Sequence, residues 1–340
     1  MLQHYECVMM TKVFLSGKKI LVTGGAGFIG SHLVDELLRK DAEVRVVDDL
    51  SRGSLRNIEH CRRRIKFAKG DLTYGKTAVE VTEDCDICFH LAAVVGGVRY
   101  MTTHPAEILK SMLINYNVIE ACRKNDVDRF LYTSSACTYP VSLQVDETQP
   151  PLREDDVLKY GAMPDSDYGW VKLLGEIQCQ AYHKTYGMKT IIIRPFNPYG
   201  PRDCFDPEHS HVIPALIRKA VLRENPFYVW GDGEQARAFT YITDLIEGMV
   251  LAIEKAPDAD PINLGESNDI SIRKLAQLIL KLTGYDTSIV WDKTKPRGVK
   301  VRKSDMTKAY KILGWKPKVS LDKGLMKTID WFIKNETRSR

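Results

Sequence analysis

Tyr168 and Lys172, in the segment YGWVK, stand four residues apart. On a helix expected over Asp167 to Tyr186 that spacing puts both side chains on one face. A phenol titrates at about pH 10, too high for a base at neutral pH, and a neighbouring ammonium lowers it. The pair therefore suits removal of a proton from a hydroxyl group. Ser134-Ser135 closes an apolar run, Arg129 to Thr133, that reads as a strand. Ligands of open α/β sheets bind at the carboxyl ends of strands, so Ser135 stands where chemistry falls. By itself YxxxK is a common accident on a helix surface, and its meaning depends on what surrounds it.

The surroundings are specific. The run Lys18 to Thr23 leads straight into Gly24-Gly25-Ala26-Gly27-Phe28-Ile29-Gly30, and helical periodicity follows over Ser31 to Lys40. Glycines between a strand and a helix let the backbone turn tightly and approach a pyrophosphate, and the helix N-terminus offers free N–H groups. Asp48 lies 18 residues beyond Gly30, at the end of a second strand, Glu43 to Val47. An acidic group there hydrogen-bonds ribose hydroxyls and repels a 2′-phosphate, which favours NAD over NADP, although Arg52 lies close by. With a nicotinamide present, Tyr168 can take a hydroxyl proton while the carbinol carbon gives up a hydride.

The elements that must hold these groups follow an alternating order. Ile65 to Ala68, Ile87 to Leu91 and Thr190 to Ile193 read as further strands, and helices over Ala106 to Asn125 and Asp167 to Tyr186 separate them. Such alternation implies a Rossmann-type doubly wound parallel α/β sheet covered on both faces. After Arg194-Pro195 the texture changes to a proline-rich stretch with Gly, Asp and Tyr, which reads as loops and short helices. Amphipathic helices return at Thr243 to Lys255 and Ser271 to Thr283. The expected division is an N-terminal extension over 1–17 and an NAD-binding domain over 18–195, with 238–262 packing back on it. A smaller C-terminal substrate-binding α/β region takes 196–237 and 263–340.

Composition narrows the class. The chain has 340 residues, 44% hydrophobic, with a net charge of +5. The densest basic block, Arg62-Arg63-Arg64, is too short for a nucleic-acid surface. The apolar run near Cys7 is too short for a signal segment or a membrane span. Eight scattered cysteines argue against a disulfide framework. Cys85 and Cys88 have CxxC spacing, but they fall in an apolar strand with no second ligand pair, so no metal is expected. The reading is a cytoplasmic protein.

These motifs together resemble the extended short-chain dehydrogenase/reductase family, the NAD-dependent nucleotide-sugar epimerases and dehydratases, over roughly residues 18 to 335. The resemblance implies that Gly24, Gly27, Phe28, Ile29 and Gly30 cradle NAD, that Asp71 and Leu72 in GDL meet its adenine, and that Leu91 and Ala92 in FHLAA line its ribose and nicotinamide side. It implies contacts to a nucleoside diphosphate from Asn197 in RPFNPYGPR, Arg237 in WGDGEQARAF and Arg302 in VRKSD. Forked guanidinium donors suit a diphosphate. It also implies a homodimer built through a helix bundle.

Within that family, SSACTYP, HSHVIPAL and Val95-Gly96-Gly97-Val98 resemble two branches, the GDP-mannose 3,5-epimerases and the GDP-fucose synthases. Both branches place a cysteine at Cys137, and the second places a histidine at His211 where the first has lysine. A ketone at C4 makes the C–H bonds at C3 and C5 acidic. Inverting such a centre needs a base on one face and an acid on the other; Cys137 and His211 suit those roles. Gly96 and Gly97 would leave the sugar ring room. Asp48 favours a recycled NAD, hence a GDP-mannose-type 3,5-epimerase. A GDP-fucose synthase-like epimerase-reductase, a UDP-sugar C4-epimerase with Cys137 a bystander, and a non-catalytic NAD sensor are the competing readings.

Overall fold

The computed structural model describes residues 13–295 and 298–335. Seven parallel strands form the central sheet: β1 (Lys19–Thr23), β2 (Glu43–Asp48), β3 (Ile65–Lys69), β4 (Ile87–His90), β5 (Arg129–Thr133), β6 (Lys189–Pro195) and, far along the chain, Ile262–Leu264. Their spatial order is β3-β2-β1-β4-β5-β6 followed by 262–264. The order reverses between β1 and β4, which opens a crevice at their carboxyl ends. Strands such as KILVT and ICFH are buried over nearly their whole length because helices cover both faces.

Helices α1 (Phe28–Arg39) and Ile242–Lys255 cover one face and pack on each other; α2 (Gly75–Thr82), α3 (Val98–Thr103), α4 (Pro105–Lys124) and α5 (Asp167–Tyr186) follow in the chain. On α1, Leu33, Val34, Leu37 and Leu38 point into the core beside Ile20, Val22 and Val46. On the other face α2 and α4 meet, and Val81, Val118 and Cys122 pack against Leu21, Cys88 and Phe130. Helix α5 lies against α4. It starts at Ser166, whose hydroxyl accepts from the Gly169 N–H at 3.3 Å, and stops at Gly187, which takes the left-handed conformation that a side chain disfavours. Cys85 and Cys88 are buried in this core, with the Cys88 thiol hydrogen-bonded to that of Cys122.

The expectation of loops beyond residue 195 is corrected. Strand 262–264 extends the central sheet beside β6, with Ile262 opposite Ile193. Between and after lie short strands that the sequence hides because each has only two to four residues: β7 (Pro198–Tyr199), β8 (Phe227–Trp230), β9 (Ala236–Ala238) and β10 (Thr240–Tyr241). With 262–264 as β11, the chain continues through β12 (Asp269–Ser271), β13 (Ile289–Asp292) and β14 (Val301–Arg302). β9 pairs with β12 and β14, and its register with β14 sets Arg237 beside Arg302. α6 (Val212–Val221), α7 (Ile242–Lys255) and α8 (Ile272–Thr283) complete the wall over these strands.

The extension expected over 1–17 is docked at its far end. Leu15 is fully buried in the main core, and the Gly17 N–H donates to the Asp41 carbonyl at 2.9 Å. Residues 1–12 of that extension lie outside the described residues. Among the described residues no helix is long and apolar enough to cross a membrane.

Candidate active site

Parallel strands deliver all their carboxyl ends to one edge, and a cleft of about 1690 Å³ runs along it. Pockets for one drug-sized ligand occupy roughly 300–1,000 Å³, so this cleft has room for two. Its walls include every residue put forward above as a candidate catalytic, cofactor-binding or substrate-binding group.

The end of the cleft over β1 is shaped for a dinucleotide. Gly24 has φ +68°, and a Cβ on it would meet the Ala92 backbone at 3.0 Å. A Cβ on Gly30 would strike the Gly24 carbonyl oxygen at 2.2 Å, so helix α1 approaches β1 only because Gly30 is bare. Gly27, Phe28 and Ile29 form the lip at the N-terminus of α1. The Asp48 carboxylate accepts from Ala26 N–H at 3.0 Å and Leu50 N–H at 2.9 Å, one on each oxygen, which leaves each oxygen lone pairs for a ribose. Burial holds this carboxyl above the usual range despite those N–H groups. Arg52 donates to the Val95 carbonyl. Asp71 and Leu72 lie on the cleft wall beyond β3, with Asp71 accepting from Thr73 N–H at 2.8 Å. These donors and cradles fit NAD.

Leu91 and Ala92 are fixed at the end of β4: both N–H groups donate to Thr23 Oγ1 at 3.1 Å. The same hydroxyl reaches His90 Nδ1 at 2.8 Å; His90 Nε2 reaches Asn115 Oδ1 at 3.0 Å; Asn115 donates to the Tyr132 hydroxyl at 3.1 Å. Burial pushes His90 down to about 3, so this relay is uncharged. No motif spacing links Thr23, His90, Asn115 and Tyr132, so the relay has no signature in the sequence.

The candidate catalytic groups meet at the end of β5. Ser135 starts a short turn and its hydroxyl accepts from the Cys137 N–H at 3.1 Å. The Tyr168 phenol is hydrogen-bonded to Ser135, which pulls its proton affinity down, but burial outweighs this and holds the phenol above its ordinary value. Lys172 lies with its ammonium 5.6 Å from the Tyr168 ring centre and donates to the Thr133 carbonyl at 2.8 Å. Burial pushes Lys172 down to about 8. The contact with Thr133 anchors the ammonium at the strand end beside the phenol, whose proton affinity the Arg52 charge also lowers. Behind Ser135, the Arg194 guanidinium and Glu176 carboxylate form a buried fork, at 2.7 and 2.9 Å, and Ser134 donates to Glu176. This pair was also missed from sequence; an isolated Glu and Arg 18 residues apart carry no signal.

The far end holds the remaining groups. His211 stands at the N-cap position of α6 on the cleft wall, where desolvation within the cleft and then the Arg52 charge hold it below its ordinary value, so it is neutral at pH 7. Gly96 and Gly97 are bare for close packing rather than for open space. A Cβ on Gly96 would meet the Tyr100 ring at 2.7 Å and one on Gly97 the Ser210 carbonyl oxygen at 2.4 Å. Asn197 has φ +37° and donates to the Ala238 carbonyl at 2.8 Å. Arg237 spends its N–H groups on the carbonyls of Ala236, Val299 and Lys300; burial and the charge of Arg302 lower it to about 9. Arg302 donates to Cys137 Sγ at 3.2 Å, Gln144 Oε1 at 2.7 Å and Asp165 Oδ2 at 2.5 Å. Asp203, a further cleft residue with no sequence signal, is buried; its Oδ1 accepts from the Cys204 N–H at 2.7 Å and its Oδ2 has no partner among the described residues. Burial raises it to about 7.

A doubly wound sheet, a glycine cradle with an acidic ribose reader, and a Ser-Tyr-Lys set at the end of β5 define an NAD-dependent enzyme of the short-chain dehydrogenase/reductase type. Residues 20–265 match the model of the NAD dependent epimerase/dehydratase family, and the chain belongs to that family. It is 33% identical to a GDP-L-fucose synthase of Sinorhizobium fredii, over 96% of this chain and 99% of that one. It is 34% identical to a GDP-mannose 3,5-epimerase of Arabidopsis thaliana, over 92% of this chain and 81% of that one. Among solved structures it is similar to a UDP-glucose 4-epimerase of Thermotoga maritima bound to UDP-glucose, with a TM-score of 0.85 and 30% identity, covering 94% of this chain and 99% of that one.

Proposed function

We propose that this protein is a GDP-mannose-type 3,5-epimerase that works through a transient 4-keto sugar and recycles its NAD. The observation that carries the reading is the presence of Cys137 and His211 in the same cleft as Ser135 and Tyr168. Bound NAD supplies a reversible oxidation at C4. Tyr168 takes the O4 proton, with Ser135 holding the same oxygen and lowering the phenol's proton affinity. Lys172 holds the ribose side. The ketone acidifies C3 and C5; Cys137 removes a proton from one face and His211 returns one from the other. His211 is neutral before substrate binds, so a diphosphate entering beside it, by adding negative charge, loads it with the proton it delivers. Arg237, Arg302, Asn197, Gly96 and Gly97 form the nucleotide-sugar wall.

We divide the chain accordingly into a cofactor domain over 18–195 and a substrate region over 196–237 and 263–340, with 238–262 joined to the first. Leu109, Leu113 and Tyr116 on α4 and Trp170 and Ile177 on α5 are exposed apolar residues on two helices that pack together. Their spacings of three, four and seven keep each set on one face, which supports a homodimer formed through these helices. The seven described cysteines are free thiols, which suits the cytoplasm.

Similarity to GDP-L-fucose synthases supports a second reading, an epimerase that finishes by net reduction. The Asp48 carboxylate, poised for ribose hydroxyls, favours the recycling reading. The test is proton NMR with GDP-mannose in deuterated water, without added cofactor. Deuterium at C3 and C5 with new GDP-hexose signals supports the 3,5-epimerase. An unlabelled C4 epimer moves the answer to C4 epimerisation. Turnover only when NAD(P)H is supplied moves it to the epimerase-reductase.

A further inference from the structure

The His211 ring has no hydrogen-bond partner among the described residues, so its place is set by the backbone that carries it. That backbone, residues 206–211, leads into α6 and is tied at its near end by Asp206. The Asp206 carboxylate accepts from the Glu208 N–H at 3.0 Å and the His209 N–H at 3.2 Å, and its carbonyl accepts from the Ser210 N–H at 2.9 Å. The other ties come from far along the chain, from the segment 96–104 that follows β4. The Gly97 N–H donates to the His209 carbonyl at 3.0 Å. A Cβ on Gly97 would stand 2.4 Å from the Ser210 carbonyl oxygen, so the loop sits this close only because Gly97 is bare. The Tyr100 ring lies between two imidazoles, its centre 4.6 Å from that of His104, nearly parallel at 15°, and 5.0 Å from that of His209. His209 Nδ1 meets the Asp206 carboxylate at 2.8 Å on its other side. Gly97, Ser210 and His211 line the cleft, whereas Tyr100 and His209 are not part of its lining.

We propose that Tyr100 is a positioning residue for His211: stacked between His104 and His209, it seats the 206–211 loop against Gly97 and so fixes the backbone that carries the imidazole over the sugar. Two peptide links join His209 to His211, a reach of about 7 Å, so a shift at His209 passes to His211 with little damping. Aromatic rings at these separations attract beyond the apolar area they bury, and a proton donor displaced by a fraction of its reach loses rate steeply. The ring makes the contact: among the described residues the Tyr100 hydroxyl has no hydrogen bond, and phenylalanine can replace it. The consequence for turnover rests on His211 being the proton donor proposed above; the seating of the loop does not.

The experiment compares wild type, Tyr100→Ala and Tyr100→Phe, each loaded with NAD, by two measurements. The first is amide hydrogen exchange, read by mass spectrometry on peptides covering 94–104 and 206–215. Tyr100→Ala should speed exchange in both peptides by up to about tenfold, the scale of one aromatic pair, and Tyr100→Phe should match wild type. Unchanged exchange over 206–215 in Tyr100→Ala overturns the assignment. The second is proton NMR with GDP-mannose in deuterated water, where inversion and exchange are separable. Cys137 alone can return a deuteron to the face it came from, but inversion needs His211 on the other face. Tyr100→Ala should therefore slow formation of the inverted sugar by roughly 10- to 100-fold, while deuterium still enters the uninverted sugar and transient NADH absorbance persists. Tyr100→Phe should invert as wild type does. Undiminished inversion in Tyr100→Ala overturns the assignment, and so does an equal loss of inversion, deuterium entry and NADH, which marks general loosening. If Tyr100→Ala does not fold, His209→Ala removes the other ring of the pair and carries the same expectations. Failure of GDP-mannose to react with wild type would sink the proposed function, and the exchange measurement alone would then decide whether Tyr100 seats the loop.

Discussion

The Lys172 ammonium donates to the Thr133 carbonyl at 2.8 Å and stands 5.6 Å from the centre of the Tyr168 ring. Helical spacing puts the two residues on one face, yet the lysine is tied to the end of β5. It is charged where it can be felt by a cofactor ribose, and burial sets its own titration at about 8. Activity should therefore fall as pH rises above about 8, as the ammonium is lost. Stability should move the other way. A lysine whose folded value lies below its unfolded 10.5 costs stability while charged, and that cost disappears as pH climbs from about 8 to 10.5. Turnover against pH beside thermal melts over the same range checks both; parallel trends would refute the assignment.

Tyr168→Phe removes the phenol proposed to take the O4 proton and leaves the ring packing. Turnover should drop roughly 100- to 10,000-fold, with NAD still bound. Cys137→Ala should stop deuterium entering the sugar while transient NADH absorbance persists, because oxidation at C4 does not need the thiol. Full retention of deuterium exchange in Cys137→Ala would return Cys137 to the role of bystander.

Gly30→Ala places a methyl group 2.2 Å from the Gly24 carbonyl oxygen. The helix must move off the strand, at a cost of roughly 1–3 kcal/mol, and the cradle opens with it. The purified variant should carry little NAD and melt earlier than wild type. A variant with wild-type NAD content would mean that the loop absorbs the methyl group.

Asp203 is buried with an Oδ2 that has no partner among the described residues, and its carboxyl is raised from 3.8 to about 7. The folded chain holds this proton where the unfolded chain has released it, so stability falls as pH rises from about 3.8 to 7, and the penalty is complete above 7. Asp203→Asn should stabilise the protein at pH 8 by roughly 1–3 kcal/mol and do little at pH 4. Chemical denaturation at the two pH values measures the difference.

Glu176→Gln keeps shape but leaves the Arg194 guanidinium buried without its counter-charge. Breaking a buried pair from one side costs about 3–5 kcal/mol. Because Ser134 also donates to Glu176, the end of β5 that presents Ser135 should loosen, with activity lost at temperatures where the fold persists. Urea unfolding and activity against temperature test this together.

The sequence by itself determined the parts whose signal is local. The glycine cradle is fixed by backbone geometry at Gly24 and Gly30, and the core strands β1 to β6 announce themselves as apolar runs. Asp48 follows from its place at a strand end, and Tyr168 and Lys172 from a helical turn. Only the tertiary structure decided which long-range neighbours these groups have. Strands β7 to β14 are too short for periodicity, so the pairing that brings Arg302 to Arg237, and through it to Cys137, had no trace in the chain. The Thr23-His90-Asn115-Tyr132 relay and the Glu176–Arg194 fork are likewise products of packing. Titration belongs to the same class: burial, set by the whole fold, takes Lys172 to about 8 and Asp203 to about 7. Residue type fixes what a group can do, and the folded surroundings fix which of its charge states is present to do it.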